Sequence, residues 1–448
     1  MSMPPDPRET LFASPMSRLQ IAVVAVTIGL NALDGFDVLS ISFASPGIAR
    51  DWGIDRAALG FVLSMELFGM GLGSILLGGV ADKIGRRRTL LGCLAVMTLG
   101  MLMATRAKGV YDLSIWRVFT GVGIGGMLAA INAVAAEFSN SRRRSLNVSL
   151  MAVGYPVGAV VGGSIAALLL KQGDWRAVFR FGAAATAAFI PLVYWLVPES
   201  ISWLCQRQPP GALEQVNRSL GRMRHPPVAA LPPLSAEARR RSVADVISPQ
   251  LARVTVLVTL AYFLHITTFY FILKWVPKIV VDMGFTPSSA AGVLVWANVG
   301  GATGGAVLGL LSLHFGLKHL TMFALMMSTI MVAVFGRGQA TLAQLSIICA
   351  IAGFFTNAGV VGLYGIFAQV FPTHVRATGT GVAIGFGRGG AMLAPIIAGL
   401  LFHAGHRLEF VAIAMGAGSL IAAVALWLLP RHTAAAETMG AEPRSAPA

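Results

Sequence analysis

Twelve times along this chain a mostly apolar run approaches or exceeds the length that a helix needs to cross a bilayer. The runs fall at 20–43, 57–80, 89–105, 113–136, 147–170, 179–197, 255–276, 290–311, 320–335, 342–367, 378–402 and 409–429. A spanning helix takes about 20 such residues. What remains cannot clothe a water-facing globule. Only 12% of the 448 residues are charged, against roughly 25% in a soluble domain, and the mean hydropathy is +0.73. The expected fold is an all-α polytopic membrane protein with twelve transmembrane helices. The stretch 1–19 is polar and carries prolines, unlike a cleaved signal, so the run at 20–43 reads as a true first span.

The formal charge of +15 orients these helices. No basic region accompanies a recognised nucleic-acid-binding module, so no nucleic-acid partner is expected. One set of loops holds Lys83, Arg86, Arg87 and Arg88, then Arg142, Arg143 and Arg144, then Arg239, Arg240 and Arg241. The alternate loops are poorer, with Arg50, Asp51, Asp55 and Arg56 cancelling. The positive-inside rule assigns the first set, and both termini, to the cytoplasm of a plasma (inner) membrane. The organisation expected is a cytoplasmic segment at 1–19, a six-helix half at 20–200, a cytoplasmic linker at 201–252, a second six-helix half at 253–430, and a disordered tail at 431–448. Cys93, Cys205 and Cys349 are scattered and form no CxxC pair, so neither a metal nor a redox dithiol is expected.

Inside the first span the stretch NALDGFDVLSISF places Asp34 and Asp37 among apolar neighbours. Thr27, Asn31, Asp34 and Asp37 are spaced by four, three and three, which is one stripe on a helix. Asp34 lies roughly 21 Å along the helix from Gln20. An acid facing lipid costs several kcal/mol, so such a residue lines a cavity and has a task. A carboxyl that alternates between protonated and ionised forms carries a proton. The plainer alternative is a structural ion pair, or a kink around Gly35. Glu66 in the second span is the other midplane acid, either a second proton site or a resting partner for a midplane arginine. Arg117 and Arg388 are the candidate bases. Arg388 is flanked by Gly387, Gly389 and Gly390, which leave room for a planar two-pronged guest, and arginine grips carboxylates bidentately. Its alternative is a pairing with an acid of the protein itself.

Aromatic residues gather in the seventh span. Tyr262, Phe269 and Tyr270 form a candidate wall for a ring, Trp275 reads as an interfacial anchor, and His265 as a hydrogen-bonding residue. Two glycine stripes, Gly154–Gly158–Gly162 and Gly301–Gly305–Gly309, predict close helix contacts.

The loop after the second span reads Gly78 through Arg88, GGVADKIGRRR. With Arg117–Gly121–Gly123 in the fourth span and the sequence VPES at 197–200, it resembles the major facilitator superfamily. The matching loop positions are Gly78, Asp82, Lys83, Gly85, Arg86 and Arg87, and Glu137 is a natural partner for the arginines. DGFD, FPTHVRATGTG at 371–381 and the glycine-flanked Arg388 narrow the resemblance to the aromatic acid:proton symporters, which include 4-hydroxybenzoate and protocatechuate permeases. The resemblance implies proton and substrate coupling at Asp34 and Asp37, and gating at Asp82 by a loop that latches the two halves. It implies structural or substrate roles at Arg117, Glu137, His314, Arg376 and Arg388. The second-half copy of the loop, 309–316, lacks the acid.

The function expected is secondary import of a small aromatic carboxylate with protons, by alternating access of a single chain in the lipid bilayer. The guest's carboxylate would meet Arg388 and Arg117. No GxxxxGK[ST] stretch implies ATP, and no cofactor is expected beyond the proton as coupling ion. Another organic anion, or export, is the second transport reading. A membrane sensor would need a signalling domain that the linker is too short to hold, and no HExxH or GxSxG marks an enzyme.

Overall fold

The computed structural model of the protein describes residues 6–233, 251–371 and 375–429. The tail at 431–448 and most of the linker's proline- and arginine-rich part lie outside them. The described residues form fifteen α-helices, twelve of them long and apolar enough to span a membrane. The first half holds α2 (Arg18–Trp52), α3 (Arg56–Ile84), α4 (Arg86–Ala104), α5 (Val110–Glu137), α6 (Arg144–Leu169) and α7 (Arg176–Leu196). The second holds α10 (Ala252–Asp282), α11 (Pro287–Leu311), α12 (Leu317–Gly336), α13 (Leu342–Val370), α14 (Arg376–His403) and α15 (Leu408–Trp427). Helices are the form in which such runs satisfy every backbone group inside lipid.

The halves repeat one pairing scheme. In the first, α3 packs on α5, α2 on α6, α4 on α5 and α7. In the second, α11 packs on α13, α10 on α14, α12 on α13 and α15. The contacts between halves obey the same two-fold relation: α3 meets α14, and α6 meets α11.

Glycines set the closest approaches. A Cβ at Gly154 or Gly158 of α6 would overlap the carbonyl oxygens of Ile28 or Ala32, and one at Gly162 would strike Phe36, all in α2. In α11 the expectation is corrected by one residue. Gly300 and Gly304 press on the carbonyls of Ala350 and Phe354 in α13, whereas Gly301 and Gly305 touch Asn357 and Val361 side chains and Gly309 faces open space.

The flanking segments are structured where described. The segment before the first span contains α1 (Pro7–Ala13), tied down by Ser141 N–H to Phe12 O (2.9 Å) and Asn140 Nδ2 to Ser14 O (3.1 Å). The linker opens with α8 (Ile201–Arg207) and α9 (Ala212–Arg222), whose Leu204, Cys205, Val216 and Leu220 are buried.

Polar links between the halves cluster at the end opposite the arginine-rich loops. Arg56 Nη2 lies 3.0 Å from Asp282 Oδ2, His403 Nδ1 lies 3.0 Å from Asp55 Oδ2, and Ser288 Oγ donates to Ala167 O at 2.7 Å. There too Gly60 of α3 rests against the Pro395 carbonyl and the Gly399 Cα of α14. The halves are therefore drawn together at that end.

Candidate functional site

The DGFD stretch divides its four residues between packing and chemistry. Gly35 brings α2 against the carbonyl of Tyr155 in α6, and its helix runs on without interruption. Phe36 fills the notch at Gly162 and meets Phe181 edge-on at 5.2 Å. Asp34 and Asp37 are completely buried, and none of their four carboxyl oxygens has a hydrogen-bond partner. Asn31, on the same stripe, donates from Nδ2 to Met151 O at 2.8 Å. Neither aspartate is in an ion pair among the described residues, so the plainer expectation for them fails.

Around the aspartates the two halves contribute the remaining polar groups. Arg388 donates from Nη1 to Met70 O (3.2 Å) and to Ser74 Oγ of α3. Among the described residues it has no carboxylate partner. It stays half-buried, in the same central region as Asp34. Tyr155, Tyr270 and Tyr364 share this region with Asp34. Phe269 and Tyr270 are half-buried and meet edge-on at 5.4 Å. Tyr262, expected beside them, is 4% exposed. It covers Gly387 and bonds through its hydroxyl to that of Tyr364 at 3.0 Å, and Tyr364 is the exposed member.

Glu66 and Arg117 stand differently from the expectation. Both are completely buried and paired with each other. Arg117 also bonds to the Asp37 carbonyl (3.1 Å) and the Met101 sulfur (3.1 Å), with its guanidinium 5.2 Å from the Phe179 ring centre. It is therefore enclosed by the protein rather than presented to a guest. Glu66 is not the partner of Arg388. Its second cation is Lys274 of α10, with Nζ 3.6 Å away and bonded to Val38 O. The sequence reading missed Lys274, which lies near a span end where a lysine is usually a snorkelling residue. The trio sits between the aspartates and the closed end.

Trp275 is 1% exposed, donating to Pro395 O at 3.3 Å, and is no interfacial anchor. His265 is enclosed in the second half between Ser419 Oγ and Thr356 O, both at 2.8 Å. His314 and Arg376 lie exposed at the arginine-rich end, away from the aspartates. Among the described residues no group of three or more His, Cys, Asp or Glu side chains is arranged to hold a metal ion.

The loop joining α3 and α4 is a bracket built on the fourth span and on VPES. Glu199 Oε1 accepts from the backbone N–H groups of Arg86 (2.7 Å) and Arg87 (3.2 Å), capping α4. Gly85 makes this possible at φ +103°, where a side chain would collide with that carboxylate. Arg86 joins Asp82 (3.0 Å) to Glu137 (3.4 Å), and Ser200 Oγ donates to Glu137 at 2.5 Å. Trp203 Nε1 and Arg207 Nε donate to Asp82 O. Lys83 is exposed, and Gly78 lies in the last turns of α3. These bonds run to α5, to α8 and to the turn between α7 and α8. In this arrangement, with the halves drawn together at the opposite end, the bonds of the loop lie within the first half.

Two equivalent six-helix halves, drawn together at one end around a midplane cluster of acids and bases, are the build of an alternating-access carrier. The chain belongs to the Major Facilitator Superfamily, whose sequence model matches residues 27–336 and 258–447, and it is a multi-pass membrane transporter. It is 30% identical to the 3-(3-hydroxy-phenyl)propionate transporter of Escherichia coli (strain K12), over 93% of this chain and 95% of that protein. It is 27% identical to the gallate transporter of Pseudomonas putida, over 94% of each. The 4-hydroxybenzoate transporter PcaK of the same organism is 28% identical, again over 94% of each. Among solved structures a D-xylose–proton symporter superposes with a TM-score of 0.71 at 19% identity, covering 93% of this chain and 98% of that one.

Proposed function

We propose that the protein imports a small aromatic carboxylate together with protons across the plasma membrane, as a single chain. The arginine-rich loops then face the cytoplasm, by the positive-inside rule, and so do both termini. The observation that carries the reading is Arg388. It is a half-buried midplane guanidinium with no carboxylate of its own among the described residues, set beside the hydrogen-bond-free Asp34 and the Tyr155–Tyr270–Tyr364 cluster. A guest carboxylate completes the guanidinium bidentately, its ring rests on Phe269 and Tyr270, and a carboxyl of the protein takes the proton. The names of the relatives, all transporters of ring-bearing acids, support the same class.

The test is uptake into proteoliposomes under an inward proton gradient. The labelled panel is 4-hydroxybenzoate, gallate, 3-(3-hydroxyphenyl)propionate, benzoate, a sugar and an amino acid. Gradient-driven accumulation of one aromatic acid is expected, with KM raised at least 10-fold in Arg388→Ala. Accumulation of the sugar alone, or full activity in Arg388→Ala, defeats the reading.

A further inference from the structure

Lys274 crosses the seam between the halves. It belongs to α10 of the second half and is completely buried, yet both of its polar partners among the described residues are in the first half. Its Nζ donates to the Val38 carbonyl of α2 and lies 3.6 Å from Glu66 Oε2 of α3. Glu66 is less dependent on it, because Arg117 of α5, in the same half as Glu66, holds the other carboxyl oxygen. Arg117 in turn reaches only groups of the first half: Glu66, the Asp37 carbonyl, the Met101 sulfur and the Phe179 ring. When the halves part at the end opposite the arginine-rich loops, Glu66 and Arg117 therefore stay together. Lys274 leaves both of its partners behind.

The depth of Lys274 gives that release a use. Met70 and Ser74, whose oxygens hold Arg388, lie one and two turns beyond Glu66 on α3, towards the arginine-rich loops. At 1.5 Å per residue, Lys274 engages α3 about 6 Å nearer the shut end than Arg388 does. On α10, Tyr270 precedes Lys274 by four residues and Lys278 follows it by four, so the three share one face. Lys278 is bound to Asp282, and Asp282 to Arg56, at the shut end itself. A guest that enters from that end passes Lys274 before it reaches Tyr270 and Arg388.

We propose that Lys274 is a second guest-binding cation, paired with Glu66 while the far end is shut and free to take the guest's carboxylate when that end opens. The inference rests on the reading that the guest is a carboxylate and that the shut end faces outward. Opening replaces the Val38 carbonyl and Glu66 by water. An ammonium at the floor of a cleft with apolar walls draws anions towards it. The guest and Glu66 are then rivals for one ammonium. As the end closes, Glu66 regains Lys274, and the guest passes to Arg388 one turn deeper. Lys274 thus serves entry from one face, whereas Arg388 meets the guest from either.

Two measurements on the full-length chain test this. In lipid nanodiscs without guest, spin labels at Lys171 and His406 report the open fraction of the far end. Glu66→Gln leaves Lys274 enclosed without a carboxylate, so that fraction is expected to rise at least about 10-fold. Adding Lys274→Met should bring it back to within about 2-fold of wild type, because no ammonium is then stranded in the seam. Initial uptake of the labelled aromatic acids is then followed in right-side-out and in inverted membrane vesicles, under an inward proton gradient, from cells that take up none of them. Lys274→Met is expected to raise KM about 10-fold in right-side-out vesicles and to leave it unchanged in inverted ones. Glu66→Gln should lower KM in right-side-out vesicles, since the rival carboxylate is gone, and it carries the test if Lys274→Met does not fold. An unchanged KM in Lys274→Met overturns the inference. So does an equal rise from both faces, the mark of a general distortion, or an open fraction indifferent to Glu66→Gln. A rise confined to inverted vesicles supports the role of Lys274 and defeats the orientation. Absence of wild-type uptake for every aromatic acid defeats the substrate reading, and the distance measurement then still tests the release of Lys274.

Discussion

Glu66 is the acid whose removal should be felt most. It is completely buried, it pairs with Arg117, and its other oxygen faces Lys274 at 3.6 Å. Glu66→Gln keeps the shape but leaves two enclosed cations without the carboxylate that they share. Breaking a buried pair by removing one partner costs about 3–5 kcal/mol. For a unit the size of one half, each kcal/mol shifts Tm by roughly 2–4 °C, so a fall of about 6 °C or more is expected. Cys93, Cys205 and Cys349 are free and buried, so a thiol-reactive dye in detergent reports unfolding directly. Lys274→Met alone should cost less, because Glu66 keeps Arg117. The double variant, which strands one enclosed cation rather than two, should recover part of the loss, for a coupling of about 1–3 kcal/mol. A Glu66→Gln protein that melts with the wild type, or a double variant whose losses simply add, would refute the claim that these three charges act as one unit.

Two further outcomes are expected from the packing. Gly158→Leu should abolish folded expression, because any side chain there overlaps the Ala32 carbonyl, whereas Gly309→Leu, which faces open space, should express as wild type by gel filtration. Asp282→Ala removes the partly exposed pair with Arg56. That is worth up to about 1 kcal/mol, so the ratio of closed to open at that end should fall by up to about fivefold, read as a longer-distance population between spin labels at Lys171 and His406.

How much of the fold and the site is legible in the amino-acid sequence depends on the range of the interaction. Helix number is legible because the bilayer imposes a length, though the ends are not. The apolar run at 20–43 belongs to a helix that extends from Arg18 to Trp52, since helices continue beyond the apolar core. The stripe of Asp34 and Asp37 is legible because a helix has a known period. Which of two adjacent glycine stripes in α11 presses on the backbone of α13, and which meets only its side chains, is not, because both have the same period and only the partner distinguishes them. Arg117 stands out in the sequence, but its neighbour does not. Its partner Glu66 is on another helix, and no local spacing links the two. Lys274 escapes a reading of pattern because a lysine eight residues before the end of α10 looks the same whether it snorkels or turns inward. The role of VPES comes only from the fold, which carries Glu199 to the start of α4.

The contact of Gly60 with Pro395 and Gly399 bears on how quickly the far end can part. Interlocked side chains must withdraw through unfavourable rotamers before two surfaces separate. Here one backbone lies directly on another, with no side chain from either glycine between them. Such a seam offers little mechanical friction, so the delay in parting is set by the nearby ion pairs and by the entry of water, both of which vary with the salt and composition of the medium at that end.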